Sequence, residues 1–298
     1  LLDKENIALK QYDPSIINPN KLVTGSGTFF KVFTPYSKSF RNELNQDYLN
    51  LFPAPKKQQN MLSNSDTIPE YQLNDLLKIS ALTAYEPGEE AAINSLENFI
   101  ENKITSYKLE RDFPSKDSTS KLSIYLSSGI ISAKTCVANL LAKSEDLPGS
   151  GEYSWFNEII WREFYKYIIF HYPRVSMRKS FNEKYDALQW RDSKEDFEAW
   201  TTGNTGFPII DAAMKQLITT GWMHNRLRMI VAMFLSKNLL IDWKKGEEFF
   251  MQNLIDGDHA SNVGGWQWSA STGVDAAPYF RIFNPITQSE KFDKEGIF

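Results

Sequence analysis

One cysteine in 298 residues, Cys136, excludes an intramolecular disulfide framework. A reducing compartment is the expectation that follows. The three histidines, His171, His224 and His259, are too scattered for a His/Cys zinc site of familiar spacing. No apolar run approaches the roughly 18 residues that a membrane-crossing helix needs; the longest wholly apolar one covers residues 229–235. The N-terminus lacks the charged-then-apolar pattern of a signal peptide. Because the sequence begins with Leu1 and stops at Phe298 after a charged stretch, it is expected to be a fragment at both ends.

What is present is an ordinary globular composition, 42% hydrophobic and 23% charged, sufficient for one large domain or two smaller ones. The net charge of −4 is unevenly spread: residues 42–101 carry three basic against ten acidic side chains, whereas residues 161–191 carry seven Lys/Arg against three acids. All eight tryptophans lie between Trp155 and Trp268, so the chemistry is expected in the second half.

Residues 1–34 read as the end of something larger, with a β-like run at 29–34. Residues 35–87, rich in Asn, Ser, Pro and acids, read as a surface connection or linker. Helical periodicity begins after Glu89 and recurs at 122–141, at 155–171 behind a cap at Ser150 or Ser154, from Pro208 to Gly221, at 225–239 and at 247–254. The second half is therefore expected to be a helical domain.

Four constellations carry candidate chemistry. Thr119-Ser120-Lys121-Leu122-Ser123 sets three hydroxyls and a cation at the start of a helical pattern, suited to a phosphate or to simple capping. On the helix beginning at Trp155, spacings of three and four bring Trp155, Glu158, Arg162 and Tyr165 to one side with Trp161 beside them. That pattern admits either a Glu158–Arg162 surface pair or an indole-lined pocket for a planar heterocycle. In residues 221–229 a turn leads into a helix with Asn225 and Met229 on one face and Arg226 and Arg228 nearby; the amide and two arginines suit phosphate or carboxylate partners, although solvated arginines are the commoner outcome. Residues 256–268 form a loop dense in polar groups, glycines and indoles. There Asp256-Gly257-Asp258 lacks further carboxylates for a metal, and Asp256 is a candidate partner for Arg228. No nucleophilic triad is legible.

These motifs, with Pro278-Tyr279-Phe280-Arg281 and the residues after it, together resemble the photolyase/cryptochrome family, most closely the bacterial class I cyclobutane pyrimidine dimer photolyases. The resemblance covers residues 107–298 closely and the first hundred loosely. It implies a mostly α fold, with residues 1–34 the tail of an α/β antenna domain, 35–90 an interdomain linker and 91–298 a helical FAD-binding catalytic domain truncated at its C-terminus. It implies FAD, active as FADH⁻, held by Tyr107, Thr119, Ser120, Lys121, Leu122, Ser123, Trp155, Arg162, Arg228, Asp256, Gly257, Asp258 and Asn262. Lys121 stands where bacterial relatives often carry Arg, and loses the planar fork. Asn262 matches the position facing flavin N5, where plant cryptochromes carry Asp and animal ones Cys.

The implied activity is light-driven repair of pyrimidine dimers in DNA, a carbon–carbon lyase reaction. Glu158, Trp161, Met229, Asn262 and Trp268 would be the catalytic residues. Trp161 and Trp268 would form the two walls of the dimer pocket, with Arg162, Tyr165, Asn225, Arg226 and Arg281 also touching DNA. Trp190, Trp243 and Trp266 would relay electrons. The resemblance further implies a cytoplasmic, nucleoid-associated monomer without metal or membrane contact. An antenna chromophore of folate or deazaflavin type would sit in the full-length protein, although Met177 falls where some folate-binding relatives carry Lys. The alternatives are a blue-light-sensing cryptochrome, including the DASH type, and a cofactor-free nucleic-acid-binding helical domain. A 6-4 photolyase is disfavoured because Asn225 and Met229 occupy the helix face where that branch has histidine.

Overall fold

The computed structural model describes residues 14–51, 53 and 85–298, and among them every regular element is helical. In chain order the helices are α1 (Phe33–Glu43), α2 (Gln46–Leu49), α3 (Glu89–Asn102), α4 (Ile104–Glu110), α5 (Ser123–Ser127), α6 (Ala133–Lys143) and α7 (Gly151–His171). After these come α8 (Lys194–Thr202), α9 (Pro208–Thr220), α10 (Asn225–Met233), α11 (Trp243–Asn253), α12 (His259–Ser269) and α13 (Pro285–Phe292).

Helix α7 is the axis of the molecule. Ser150 starts it by accepting the Tyr153 N–H at 3.0 Å. Its core face carries Trp155, Phe156, Ile159, Ile160, Phe164, Tyr167 and Ile168, all buried. Burying side chains of this size contributes about 1.5 to 3 kcal/mol each. Helix α4 crosses α7 so closely that a Cβ on Gly151 would sit 1.7 Å from the Ile104 carbonyl, so only glycine serves there. Helix α12 packs against α7, α10 and α11 and brings the C-terminal motifs to the same place. Helix α9 begins on Pro208 and ends on Gly221, which sits at φ +66° in the left-handed region.

Several sequence expectations are corrected. Residues 29–34 form no strand: residues 29–31 are irregular and α1 starts at Phe33. The segment read as a surface connection begins with α1, which buries Tyr36, Ser37 and Phe40 against α7. The strap before it is tied to α7 by hydrogen bonds from the Ile16 N–H to Glu163 (2.9 Å) and from the Phe30 N–H to the Tyr167 hydroxyl (3.0 Å). The 122–141 segment is two helices, broken at Gly129 with φ +75°. Helix α10 passes into a π-helical turn at Phe234–Asn238, and α11 begins four residues before the expected 247. Most of the supposed loop 256–268 is α12, with Asp258 as its N-cap.

Candidate functional site

A cavity of about 360 Å³ opens where α7, α10 and α12 meet the segment that follows α4. From α7 it receives Glu158, Trp161, Arg162 and Tyr165, the four non-core side chains that helical spacing groups together. Helix α10 adds Asn225, Arg228 and Met229. Helix α12 and the turn before it add Asp256, Asp258, Asn262, Trp266 and Trp268. Residues from three distant motifs thus share one hollow.

Every arginine beside this hollow is paired. Arg228 Nη2 contacts both Asp256 carboxylate oxygens at 2.7 and 3.0 Å, while its Nε–H donates to the Met223 carbonyl at 2.8 Å. Asp256 is only 4% exposed, so its charge depends on that guanidinium. A Glu158–Arg162 surface pair is one of the two readings that the spacing admits. Instead Glu158 is held by Arg111 at 2.7 Å, and Arg162 turns to Glu163 at 3.2 Å and to the Leu126 carbonyl at 3.2 Å. Arg226 is bound by Asp112 at 2.6 Å, lies over the Phe292 ring at 4.7 Å, and lies outside the cavity lining.

Asn262 has a fixed orientation. Its Nδ2 donates to the backbone carbonyl of Glu247 at 2.9 Å and to the Glu247 carboxylate at 3.0 Å. An amide oxygen facing those two acceptors would be repelled, so Oδ1 is the atom left for a ligand. For Asp258, burial works against ionisation, but hydrogen bonds from the Ser261 hydroxyl and N–H and the nearby Arg162 charge outweigh it. Its pKa therefore lies below the usual aspartate value.

A second hollow of about 460 Å³ is lined by Thr119, Ser120, Lys121, Lys103, Asn94 and Asn98, among others. It adjoins α7 at Trp155, whose indole N–H reaches the Ser120 hydroxyl at 3.4 Å. Lys103 and Lys121 both grip Asp117, at 2.7 and 2.8 Å, and those hydrogen bonds lower its pKa. Lys121 has φ 53°, an uncommon conformation for a non-glycine residue. Leu122 and Tyr107 are buried, Tyr107 edge-on to Phe99, and neither they nor Ser123 lines either hollow. Gly257 also lies outside both linings.

The three tryptophans named for electron relay differ in setting. Trp266 lines the first cavity, with its indole N–H buried and unpartnered. Trp243 is buried, and Trp190 is half-buried against the core. The aromatic neighbours of Trp266 are Phe250, at 5.0 Å between centroids, and Trp200, at 6.0 Å, both edge-on. Arg281 is exposed, away from the cavity lining.

Sequence reasoning missed Arg111, Asp112, Glu247 and Phe33. The adjacent Arg111-Asp112 pair just beyond α4 was the available signal for the first two. Nothing in local spacing announces Glu247, fifteen residues before Asn262, or Phe33, whose ring stacks on Trp161 at 3.7 Å.

A helical body built around an indole-walled, arginine-flanked cavity defines the class, and comparison with known proteins supplies the family. Residues 155–298 match the family model of the FAD binding domain of DNA photolyase. The chain is 46% identical over 296 residues to the deoxyribodipyrimidine photo-lyase of Escherichia coli, covering 98% of this chain and 62% of that protein. A bacterial class III photolyase from Agrobacterium tumefaciens has a similar solved structure, with a TM-score of 0.85 and 38% identity, over 99% of this chain and 62% of that one. A Synechocystis cryptochrome is also similar, with a TM-score of 0.78 and 28% identity over the same shares. Residues 155–298 belong to the family of the FAD binding domain of DNA photolyase, and the whole chain is similar to the photolyases and the cryptochrome just named. It spans about three fifths of the length of the curated relatives named here.

Proposed function

We propose that this chain is the FAD-binding part of an enzyme that repairs cyclobutane pyrimidine dimers in DNA under light. The observation that carries the reading is that Glu158, Trp161, Asn225, Met229, Asn262 and Trp268 share one cavity. When bound, reduced FAD supplies the light-driven electron that opens the two C–C bonds of the dimer and takes that electron back.

The residues present fit such a group. The first cavity combines aromatic surface with the Arg228 cation, the Asn262 carbonyl as an acceptor, and the buried, unpartnered N–H of Trp266 in its wall. The second combines hydroxyls, amides and two lysines, suited to phosphates. On this reading Arg228 and Asp256 hold charge beside the ring, and Asn262 accepts a hydrogen bond at it. Asp258 and Arg162 flank the same site. Thr119, Ser120 and Lys121 hold phosphate, with Leu122 and Ser123 available through their backbone and Tyr107 and Trp155 backing the site. Gly257 offers only backbone.

The dimer has to leave the duplex to enter, at a lower cost where damage has already weakened pairing and stacking. Trp161 and Trp268 would then clasp its faces while Glu158, oriented by Arg111, accepts hydrogen bonds from its polar edge. Met229, Asn225 and Tyr165 complete the wall, and Arg226 and Arg281 meet flanking phosphates. Trp190, Trp243 and Trp266, graded from half-buried to cavity wall, offer a route for an electron from the surface inward. The reading includes the division into antenna remnant (1–34), linker (35–90) and catalytic domain (91–298), with the described part of the first two laid against the third. It also includes a cytoplasmic monomer. No described helix is long and apolar enough to cross a membrane, and no described His/Cys/Asp/Glu cluster suits a metal.

The test is illumination of the reduced, FAD-loaded protein with a dimer-containing oligonucleotide, alongside Glu158→Ala and Trp268→Ala. Repair by the parent with loss in both variants is expected. Undiminished repair in both variants refutes the pocket. Flavin photoreduction with no repair by the parent favours the signalling reading that the Synechocystis cryptochrome likeness offers.

A further inference from the structure

We propose that Phe33 and Asp275 form a tie that sets the gap between the two indole walls, making both positioning residues for the pyrimidine dimer. The proposal rests on reading Trp161 and Trp268 as those walls.

Trp161 lines the cavity, and one face of its indole is covered by the Phe33 ring, centroids 3.7 Å apart and planes within 5°. Free aromatic pairs prefer offset or edge-on arrangements to a close parallel stack. This stack is therefore imposed by what anchors each ring. Trp161 is fixed on α7, with Phe164 edge-on at 5.7 Å and Tyr165 tilted at 5.5 Å.

Phe33 is fixed from the other direction. It is the first residue of α1, so its N–H is one of the donors a helix start leaves without an intrahelical partner. Val32 before it offers no side-chain cap. The missing acceptor comes from 242 residues away, where Asp275 Oδ2 accepts the Phe33 N–H at 3.0 Å. A carboxylate there also meets the positive end of the α1 dipole. Asp275 itself sits at φ 46°, a left-handed conformation that Asp tolerates better than most residues.

The segment around Asp275 is knitted to the end of α12, the turn that carries Trp268. The Trp268 carbonyl accepts the N–H groups of Ser271 (3.3 Å) and Ala277 (3.2 Å). The Gln267 carbonyl accepts those of Thr272 (3.0 Å) and Gly273 (3.1 Å). A continuous chain of contacts thus runs from Trp161 through Phe33 and Asp275 to the backbone of Trp268. Two flat walls clasp a dimer of fixed size only at the right separation, and this chain sets it.

The test measures affinity of the full chain for a dimer-containing oligonucleotide and for the same sequence undamaged. The variants are Phe33→Leu, Phe33→Tyr, Asp275→Ala and Trp161→Ala. Phe33→Leu keeps apolar bulk but loses the flat face, and Asp275→Ala removes the remote cap. Each is expected to weaken dimer binding about tenfold, the scale of one lost stacking contact, while undamaged DNA binds as before. Phe33→Tyr is expected to retain parent discrimination. Parent-like discrimination in both Phe33→Leu and Asp275→Ala, with discrimination lost in Trp161→Ala, overturns the tie and leaves the pocket standing. An equal loss on damaged and undamaged DNA overturns it as well. Parent-like discrimination in Trp161→Ala overturns the pocket reading itself.

Discussion

Replacing Arg228 with Met tests the charge arrangement at the base of the cavity. In the parent, one guanidinium nitrogen spans both oxygens of Asp256, and Nε–H satisfies the Met223 carbonyl. The Asp256 side chain is 1% exposed and that of Arg228 25%, so solvent cannot take over the role of the cation. Removing one partner of a pair this buried strands the other charge at a cost of about 3 to 5 kcal/mol, against about 0 to 1 for an exposed bridge. That is a large share of a typical stability of about 5 to 15 kcal/mol, yet it leaves the fold populated. Arg228→Lys is expected to cost less, since charge persists while the Nε–H donor is lost. Adding Asp256→Asn to Arg228→Met is expected to recover part of the loss, because no charge remains stranded. The assay is equilibrium urea unfolding of the flavin-free chain for the parent, both single variants and the double. A cost under about 1 kcal/mol for Arg228→Met, with additive single effects, would refute the claim that Asp256 is desolvated and depends on this arginine.

Acid should weaken the fold through His224. Burial pulls its pKa from 6.5 down to about 4, helped by the neighbouring Arg226, Arg228 and Arg111 charges and opposed by Asp112. The unfolded chain binds this proton below about pH 6.5 and the folded chain only near 4, so stability falls as pH drops through that window. The full loss is about 3 kcal/mol, and urea unfolding of parent and His224→Asn from pH 7 to 4.5 should show the parent with the steeper slope. Gly264→Ala would place a methyl 2.2 Å from the Tyr165 ring, and is expected to cost about 1 to 3 kcal/mol in unfolding free energy. Its neighbour Gly265 has nothing within 4 Å, so Gly265→Ala should raise stability by up to about 1 kcal/mol, as expected for Ala over Gly in a helix. Equal effects at the two positions would contradict the packing described for α12.

The elements read correctly from sequence were those whose signals are local. Pro208 and Gly221 bound α9 because fixed and left-handed φ values are properties of those residues alone. The choice between Ser150 and Ser154 needed coordinates: Ser150 caps α7, and the Ser154 hydroxyl bonds back to the Ser150 carbonyl at 2.8 Å. Helix α12 read as a loop because its Asp, Ser, Asn and paired glycines have low helix propensity. Two causes are visible only in three dimensions: Asp258 is the cap, and Gly264 lies under the Tyr165 ring. Helix α1 was missed because Pro35 and polar neighbours hid Tyr36, Ser37 and Phe40, whose burial depends on α7 more than a hundred residues later. The same holds at the site. Glu158, Trp161, Asn225, Asn262 and Trp268, which line the cavity, were legible in their motifs, but Arg111, Asp112 and Glu247 were not, because they meet Glu158, Arg226 and Asn262 only through the fold.

Those partners also revise the charge reading. The surplus of basic residues at 161–191 reads, by count alone, as a local positive patch. In the folded chain Arg174 faces Asp186 at 2.8 Å and Glu183 at 3.5 Å, Arg178 faces Glu248 at 3.1 Å, and Arg191 pairs with Asp196. Two of those acids lie inside the counted stretch and two outside it, so a one-dimensional tally overstates the field that a phosphate meets. A phosphate reaching one of these arginines displaces or shares a carboxylate already present, so it gains less than it would from a free cation. Long-range attraction is then modest, and on the proposed function a preference for damaged DNA would have to come from the cavity itself. The flat indole faces, the Arg111-oriented carboxylate of Glu158 and the fixed amide of Asn262 are all satisfied or propped before a ligand arrives, so little ordering remains to be done on binding.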